Sequence, residues 1–545
     1  MSRSPLDRDP TEPPAPGRIG ARRAGAWALL CLLCGWASQP APAAAQVVEA
    51  WTHASTVDPS GSPFSARLQA MGSLQTAVEA PQDRISTYGF SKNPAGLLSD
   101  EDSSTVEVPW RYQDYEDGLY GYGHTVIRHG TTFRTAIRSN RQWVLGFDAE
   151  YGGTDASRQD ACPWPDDCRF IRDFDIQYPS YYQPVPGVRS IGAGVSQVRV
   201  QLTYGRVFLR KLTLGGRIGY RYEAEDRETP NPYDLDVNAN ALEFTGGALY
   251  GLHHGSTDVT LAGMIGWTGN HVIGTNQTPY SEDKLDWNRP QVAYGGQILV
   301  RQASWARGIV DVNHRSHNGE EVTQVNWAPE FFLNPLPINV TNPFASVLKQ
   351  KWTSALTGLR RTEIGTRWMF DVPRAPVHVG ALYKYHDEDQ WIHPEQILFQ
   401  TFRELSVTRL GYDARGGVSL DLPEGKGLVA TEVHASREAR SDHTGALPEI
   451  GMSEQTYHFG AEYRATSWLP VRAGFVAIRR DWNRDDAFPP GKGTRVTAGL
   501  GYFWGFLKSQ IDASYSHEHV SHAPGDPSDE VSTGDQVSLL ARYVF

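Results

Sequence analysis

Apolar and polar side chains alternate along segment after segment of this chain, and the links between those segments alternate between short and long. Few folds satisfy both regularities. A strand with side-chain period two shows one face to apolar surroundings and the other to water. Trp143, Leu145, Phe147, Ala149 and Tyr151 share one parity, opposed by Gln142, Asp148 and Glu150. Val106, Val108, Trp110 and Tyr112 precede them on one face, as do Phe133, Thr135 and Ile137. Comparable runs recur at 198–204, 212–222, 242–252, 259–267, 292–300, 377–385, 410–422, 429–435, 457–463, 471–477, 494–502 and 507–515. The last run ends the sequence on Val537, Leu539, Ala541, Tyr543 and Phe545. Weaker segments near Val310 and Val312 and near Trp368 and Phe370 bring the expected count to about eighteen strands, with about 14–16 as alternatives.

Links after even-numbered segments are short, at 139–140, 206–210, 253–256, 302–307, 371–376, 423–427, 465–470 and 503–506. The others include the long stretches 152–194, 268–289, 316–350 and 386–406. Short turns on the periplasmic side and longer loops outside are the habit of outer-membrane barrels. The fold expected for 104–545 is therefore all-β, a transmembrane antiparallel β-barrel in the bacterial outer membrane. Phe208, Trp305, Trp468, Phe503, Trp504 and Phe545 are expected in the periplasmic aromatic girdle. A secreted soluble propeller would explain the strands but not the alternation of link lengths.

At the other end, Arg18, Arg22 and Arg23 precede an apolar run over 24–36, and Ala43, Ala44 and Ala45 offer a cleavage site. That run is too short to span a bilayer and has the layout of a secretory signal peptide, expected over 1–45. Large Leu33 before Cys34 argues against lipid attachment. Removing the five arginines and three acidic residues of 1–45 takes the formal charge from −11 to about −13, which argues against nucleic acid as a partner. The expected partners are outer-membrane lipid, the barrel-assembly machinery that reads a terminal strand carrying Tyr543 and Phe545, and a small-molecule solute.

Residues 46–103 do not alternate. They contain RLQAMGSLQTAV at 67–78 and then Asn93, Pro94, Ala95, Gly96 and Leu97. This order resembles the start of the FadL-like superfamily, which includes PorV-type barrels, where an MGGA pattern precedes NPAGL. The resemblance covers about 30 residues, and Ser73 stands where the pattern has its second glycine. It implies a hatch inside a barrel and, in transporter members, passage of hydrophobic molecules. It also implies about fourteen strands, fewer than the alternation gives. A periplasmic linker containing an Asn-Pro turn is the plainer reading of the same segment.

The polar parity of the strands carries charges of both signs, among them Asp148, Glu150, Arg199, Arg217, Arg221, Glu243, Asp413, Arg415, Glu432 and Glu462, joined by Arg495 and Asp512. Facing the lumen spares them the cost of lipid, and the same charges serve either a transport path or a static ion-pair network. Catalytic and metal constellations are poor. Glu432, His434 and Ser419 fix no nucleophile–base pair, and His517, Glu518, His519 and His522, expected between the last two strands, match no defined metal spacing. No catalytic residue, metal or cofactor is assigned, and an enzyme is not expected. Two outer segments are unusually apolar: 327–348, and a short amphipathic helix after Pro394 with Ile397, Leu398, Phe402 and Leu405. The function expected is an outer-membrane channel or transporter for small molecules, hydrophobic ones included. A non-transporting interaction barrel is the alternative.

Cys162 and Cys168 are the only cysteines after residue 45, and their spacing in an exported chain fits a local disulfide in the first long outer loop. Mass spectrometry of protein purified without reductant is expected to show them bridged, with a stabilisation of about 2–3 kcal/mol at most. Two free thiols would contradict this.

Overall fold

The computed structural model describes residues 66–78, 93–98, 104–117, 124–139, 142–159, 190–209, 211–228, 234–277, 281–302, 305–327, 349–394, 405–442, 450–482, 491–505, 509–521 and 531–545. The signal region and the Cys162–Cys168 pair lie outside these residues. Eighteen strands account for most of what is described. The first nine are β1 (Thr105–Asp117), β2 (His124–Ser139), β3 (Trp143–Gln159), β4 (Ser190–Leu209), β5 (Leu212–Glu228), β6 (Asp234–His254), β7 (Thr257–Gln277), β8 (Ser281–Gln302) and β9 (Ala306–Trp327). The rest are β10 (Lys349–Asp371), β11 (Val377–Pro394), β12 (Leu405–Asp421), β13 (Gly427–Asp442), β14 (Ile450–Thr466), β15 (Leu469–Trp482), β16 (Gly491–Trp504), β17 (Ser509–Ser521) and β18 (Val531–Val544).

Each strand pairs antiparallel with its sequence neighbours, and β1 pairs with β18 from Thr105 opposite Val544 to Glu116 opposite Thr533. The sheet is thus a closed barrel without an edge, the form in which every strand backbone group finds a partner inside lipid. The Phe545 amide extends the seam by donating to the Ser104 carbonyl at 2.9 Å. The weak ninth and tenth segments are full strands, so the count of eighteen stands.

Outward residues are the apolar parity: Leu261, Ile265 and Trp267 on β7, and Leu539 and Tyr543 on β18, are all exposed on the wall. Among the described residues no helix is long and apolar enough to cross a membrane. Aromatic rings gather at the short-turn rim, with Trp305 stacked on Phe370 at 6.3 Å and Tyr502 edge-on to Trp468 at 5.3 Å and to Trp504 at 4.2 Å. Tyr543 stacks on Phe545 at 5.8 Å. Phe503 has the lumen parity of Arg495 and Thr497, so Tyr502 takes the girdle position expected for it.

Three expectations about the outer side need correction. The stretch 268–289 is not a loop: β7 runs to Gln277 and β8 starts at Ser281. Likewise β9 reaches Trp327, β10 begins at Lys349 and β11 extends to Pro394, where a helix was expected to start, while Leu405 opens β12. These strands reach 22 and 23 residues, where about 9–11 cross the hydrocarbon, and the excess stands beyond the membrane on the long-loop side. Apolar alternation fades there in the sequence although pairing continues. The third correction concerns His517 and His519. They lie within β17 on its exposed parity, while Glu518 between them is buried on the lumen face. They therefore cannot share a metal with it.

Deleting residues 543–545 removes the last pairs of the β1–β18 seam and part of the girdle. The expected outcome is a periplasmic, protease-sensitive chain without heat-modifiable migration on gels. A normal heat-modifiable barrel in the outer-membrane fraction would overturn this role.

Candidate functional site

Two pieces of the N-terminal segment lie inside the barrel, toward the end with short turns, and they rest on different walls. The first, 66–78, begins with a short helix, Ala66–Ala70, whose buried face continues into Met71, Leu74 and Val78. Leu68, Met71, Leu74 and Val78 form an apolar cluster with Ala430, and Leu428 packs against it. The helix ends because Gly72 and Ser73 both take left-handed backbone, at φ of 79° and 60°. The Ser73 amide turns back to the Leu68 carbonyl at 2.9 Å, in the manner of a glycine-terminated helix. This explains the two adjacent glycines of the pattern that the segment resembles. Serine fills the second position here at a strain on the order of 1–2 kcal/mol.

What lets the segment lie so close is glycine in the wall. A Cβ on Gly460 or Gly474 would strike the backbone of Met71 or Gly72, one on Gly380 the backbone of Thr76, and one on Gly499 the side chain of Ala70. Hatch backbone therefore sits directly on the backbone of β11, β14 and β15. Polar groups around this seat are spent on it. Glu432 Oε2 accepts from the Gln75 amide at 2.9 Å, the Thr76 amide at 2.8 Å and the Thr76 hydroxyl at 2.7 Å. Arg67 Nε donates to Glu462 at 2.7 Å, as does Arg472 Nε at 2.8 Å, and Arg472 also holds Asp512. Thr497 donates to the Ala70 carbonyl at 2.8 Å and accepts from the Gly72 amide at 3.0 Å. Ser538 donates to Gln69, which carries the seat to β18.

The same seat involves Ser419, Glu432 and His434. Ser419 donates to the Ala77 carbonyl at 2.7 Å, so its hydroxyl holds the hatch. His434 lies 3.0 Å from Asp413 and 3.1 Å from Thr456, and Thr456 in turn contacts His458, whose Nδ1 is 2.6 Å from the Gly72 carbonyl. Asp413 also takes two bonds from Arg415, at 3.0 and 3.1 Å. Asp413, Arg415, Glu432 and Glu462 are thus a framework around the hatch.

The second piece is the turn Pro94–Leu98. Asn93 caps it: its Oδ1 accepts from the Ala95 amide at 3.0 Å, and the Gly96 amide reaches the Asn93 carbonyl at 2.9 Å. Pro94 at the first position has no amide to satisfy. Asn93 Nδ2 donates outward to the Gly263 carbonyl at 3.1 Å, and Arg138 donates to the Leu97 carbonyl at 2.7 Å. Wall glycines again match the motif, with Gly247 against Asn93, Gly215 against Pro94 and Ala95, and Gly146 against Leu97. Ala95 closes the seat with Leu249, Ala262 and Leu299.

Beyond this turn, on the side of the long loops, the lumen holds a cavity of about 320 Å³. Asn93 and Leu97 are part of its lining, with Asp148, Glu150, Arg199, Arg217 and Glu243 among the expected lumen charges. Arg221 lies on the same wall, 3.4 Å from Glu223 and 3.2 Å from Asn270. Arg134, Arg315, Arg361 and Glu363 complete the charged lining and were not singled out from sequence. For Arg315, Arg361 and Glu363 the reason is that β9 and β10 alternate too weakly for their lumen faces to be read, whereas Arg134 stands opposite the alternating Phe133, Thr135 and Ile137 of β2 and could have been found from its parity. The ten expected lumen charges therefore divide, six toward the cavity wall and four toward the hatch seat. Among the described residues no group of three metal-ligating side chains comes together.

No family model matches the chain, and no curated protein matches it. Among solved structures it is similar to the Pseudomonas putida toluene transporter TodX at 11% identity, TM-score 0.33, over 89% of this chain and 98% of that one. It is similar to a Pseudomonas aeruginosa FadL homologue at 12% identity, TM-score 0.31, over 83% and 92%. A third is the alcaligin outer-membrane receptor FauA from Bordetella pertussis, at 8% identity, TM-score 0.37, over 81% and 76%. These likenesses concern the barrel fold alone.

Replacing Glu432 by Gln leaves the three hatch donors facing a neutral acceptor. The expected cost is about 1–3 kcal/mol, confined to the hatch seat. Amide exchange at Gln75 and Thr76 should then quicken by roughly tenfold or more, with strand protection and heat-modifiable migration unchanged. Unaltered exchange at these two amides would remove Glu432 from the seat.

Proposed function

We propose that this chain is an outer-membrane channel or transporter for small molecules, closed toward the periplasm by the hatch formed from 66–78 and 93–98. The observation that carries this reading is the lumen cavity with Asn93 and Leu97 in its lining. A barrel built only as a membrane platform has no need of a cavity bounded by a separately seated segment. The Asn-Pro-Ala-Gly-Leu turn makes part of the barrier, and its seat is built from side chains and glycines of the wall, so its removal leaves the strand ladders intact. In transporter members of the superfamily that the N-terminus resembles the solutes are hydrophobic, whereas the cavity of this chain is lined by charged and polar groups.

One observation favours the second reading, a non-transporting interaction barrel. The hatch is fixed at two walls, and the first seat includes the charged bonds to Glu432 and Glu462. Such anchoring suits a permanent plug as well as a gate.

Planar-bilayer conductance of the chain from residue 46 onward, compared with a chain beginning at Ser104, separates the two from a simple linker. Ser104 is kept because its hydroxyl and carbonyl tie β2 and Phe545 to the seam. The expected outcome is a stable, several-fold higher conductance from the shortened chain, with weak but solute-dependent flux in the longer one. Unchanged conductance from a folded, inserted truncation would overturn the hatch. Absence of flux for any solute through the longer chain would select the permanent plug.

A further inference from the structure

We propose that the lumen cavity binds a small hydrophilic anion, a carboxylate that also carries hydroxyl groups, about the size of a sugar acid. Its physiological role as a solute site rests on the channel reading above; its existence as a binding site does not.

Five guanidinium groups line the cavity, from Arg134, Arg199, Arg217, Arg315 and Arg361, against four carboxylates, Asp148, Glu150, Glu243 and Glu363. At least three of the carboxylates are engaged. Asp148 accepts from Arg134 at 2.9 Å, Glu243 from Arg199 and from Gln201 at 2.9 Å each, and Glu363 pairs with Arg361 at 2.7 Å. Glu388, buried on the lumen side of the next strand, β11, takes a further bond from Arg361 at 3.0 Å and stands 3.9 Å from Arg315. An entering cation would have to displace arginine from these acids. An anion meets the opposite situation at Arg217, whose Nε donates to the neutral Thr203 hydroxyl at 3.1 Å, and at Arg315, which stands 3.9 Å from the Glu388 carboxylate, because a guanidinium carries five N–H donors in a planar fork that suits a carboxylate.

The arginines stand in two groups along the wall. Arg134, Arg199 and Arg217 come from β2, β4 and β5, and Arg315 and Arg361 from β9 and β10. Between them β6, β7 and β8 contribute Thr245, Thr268 and Gln291, which exchange hydrogen bonds with hydroxyls, and β6 also contributes Glu243, which Arg199 and Gln201 hold. This order matches a molecule with a carboxylate at one end and hydroxyls along its length. The volume of about 320 Å³ limits the occupant to one small molecule. A hydrocarbon in the same space would strip water from five guanidinium groups and return no hydrogen bond.

Isothermal titration of sodium gluconate into the protein from residue 46 onward, held in detergent micelles, tests the site, with glucose as the neutral counterpart and choline as the cationic one. Saturable gluconate binding is expected, with glucose and choline weaker by about tenfold or more. The Arg217→Gln/Arg315→Gln double variant should lose about tenfold in gluconate affinity, and the lysine versions should recover part of it. Should the double variant lack heat-modifiable migration, each single Gln variant is read instead, with a several-fold loss expected. The proposal is overturned by absent gluconate saturation, by glucose or choline binding as tightly, or by folded Gln variants that keep the parent affinity. Liposome flux measured in parallel distinguishes the two levels. Binding without flux overturns the channel reading and leaves the site standing, whereas flux without saturable binding overturns the site.

Discussion

The closure of β1 on β18 is the constraint on which everything else depends. In hydrocarbon an open strand edge leaves a row of amides and carbonyls without partners, at a cost of several kcal/mol each. Pairing from Thr105–Val544 to Glu116–Thr533 removes that edge. Once the wall is satisfied by its own ladder, the lumen face is released from structural duty in the membrane. It can then carry Arg472, Asp512, Glu432 and Glu462 at nearly complete burial without exposing any of them to lipid. The hatch depends on the same freedom, because it needs polar partners and bare backbone on the inside of a wall that remains closed without it.

Alternation made the barrel legible, because lipid on one side and water on the other impose period two with little regard to neighbours. It failed where that asymmetry ends. The upper parts of β7 to β10 carry polar residues without clean alternation, such as Asn276, Asp283 and Glu320, which give no sign of pairing until their partners are known. The hatch was legible in part. Asn93 and Pro94 announce a capped turn from local chemistry alone, and the turn is where they put it. Its seats were not legible, since they depend on residues hundreds of positions away: Gly146, Gly215 and Gly247 for one, Gly380, Gly460 and Gly474 for the other. A lumen-parity glycine near a short turn looks the same in sequence whether it receives a hatch or merely relaxes a strand.

The mixed charges of the lumen had two readings from sequence, a path or a static network, and the structure assigns them to different walls. From β12 to β17 the ions are stitched to one another and to the hatch. Glu462 joins Arg67 of the hatch to Arg472 of the wall, and Asp413 meets both Arg415 and His434. Buried networks of this kind add little net stability over apolar packing, but they are costly to break one partner at a time. That property suits a part that has to stay in one register. A hatch held by apolar contact alone could slide along the wall, whereas Glu432 receiving three donors admits a single position.

From β2 to β10 the ions border open space, and the cost of their burial is offset by one another only where they pair. The two walls thus divide the labour of the lumen: one fixes the barrier, and the other presents polar groups to whatever reaches it. Asn93 and Leu97 lie on the second wall, where Gly247 and Gly146 seat them, and they also line the cavity. Any occupant that pushes on this turn therefore acts on the smaller of the two seats, held by Asn93, Arg138 and the packing of Ala95. It leaves untouched the charged framework around 66–78. A lumen arranged in this way can yield at one wall while the segment remains tethered at the other.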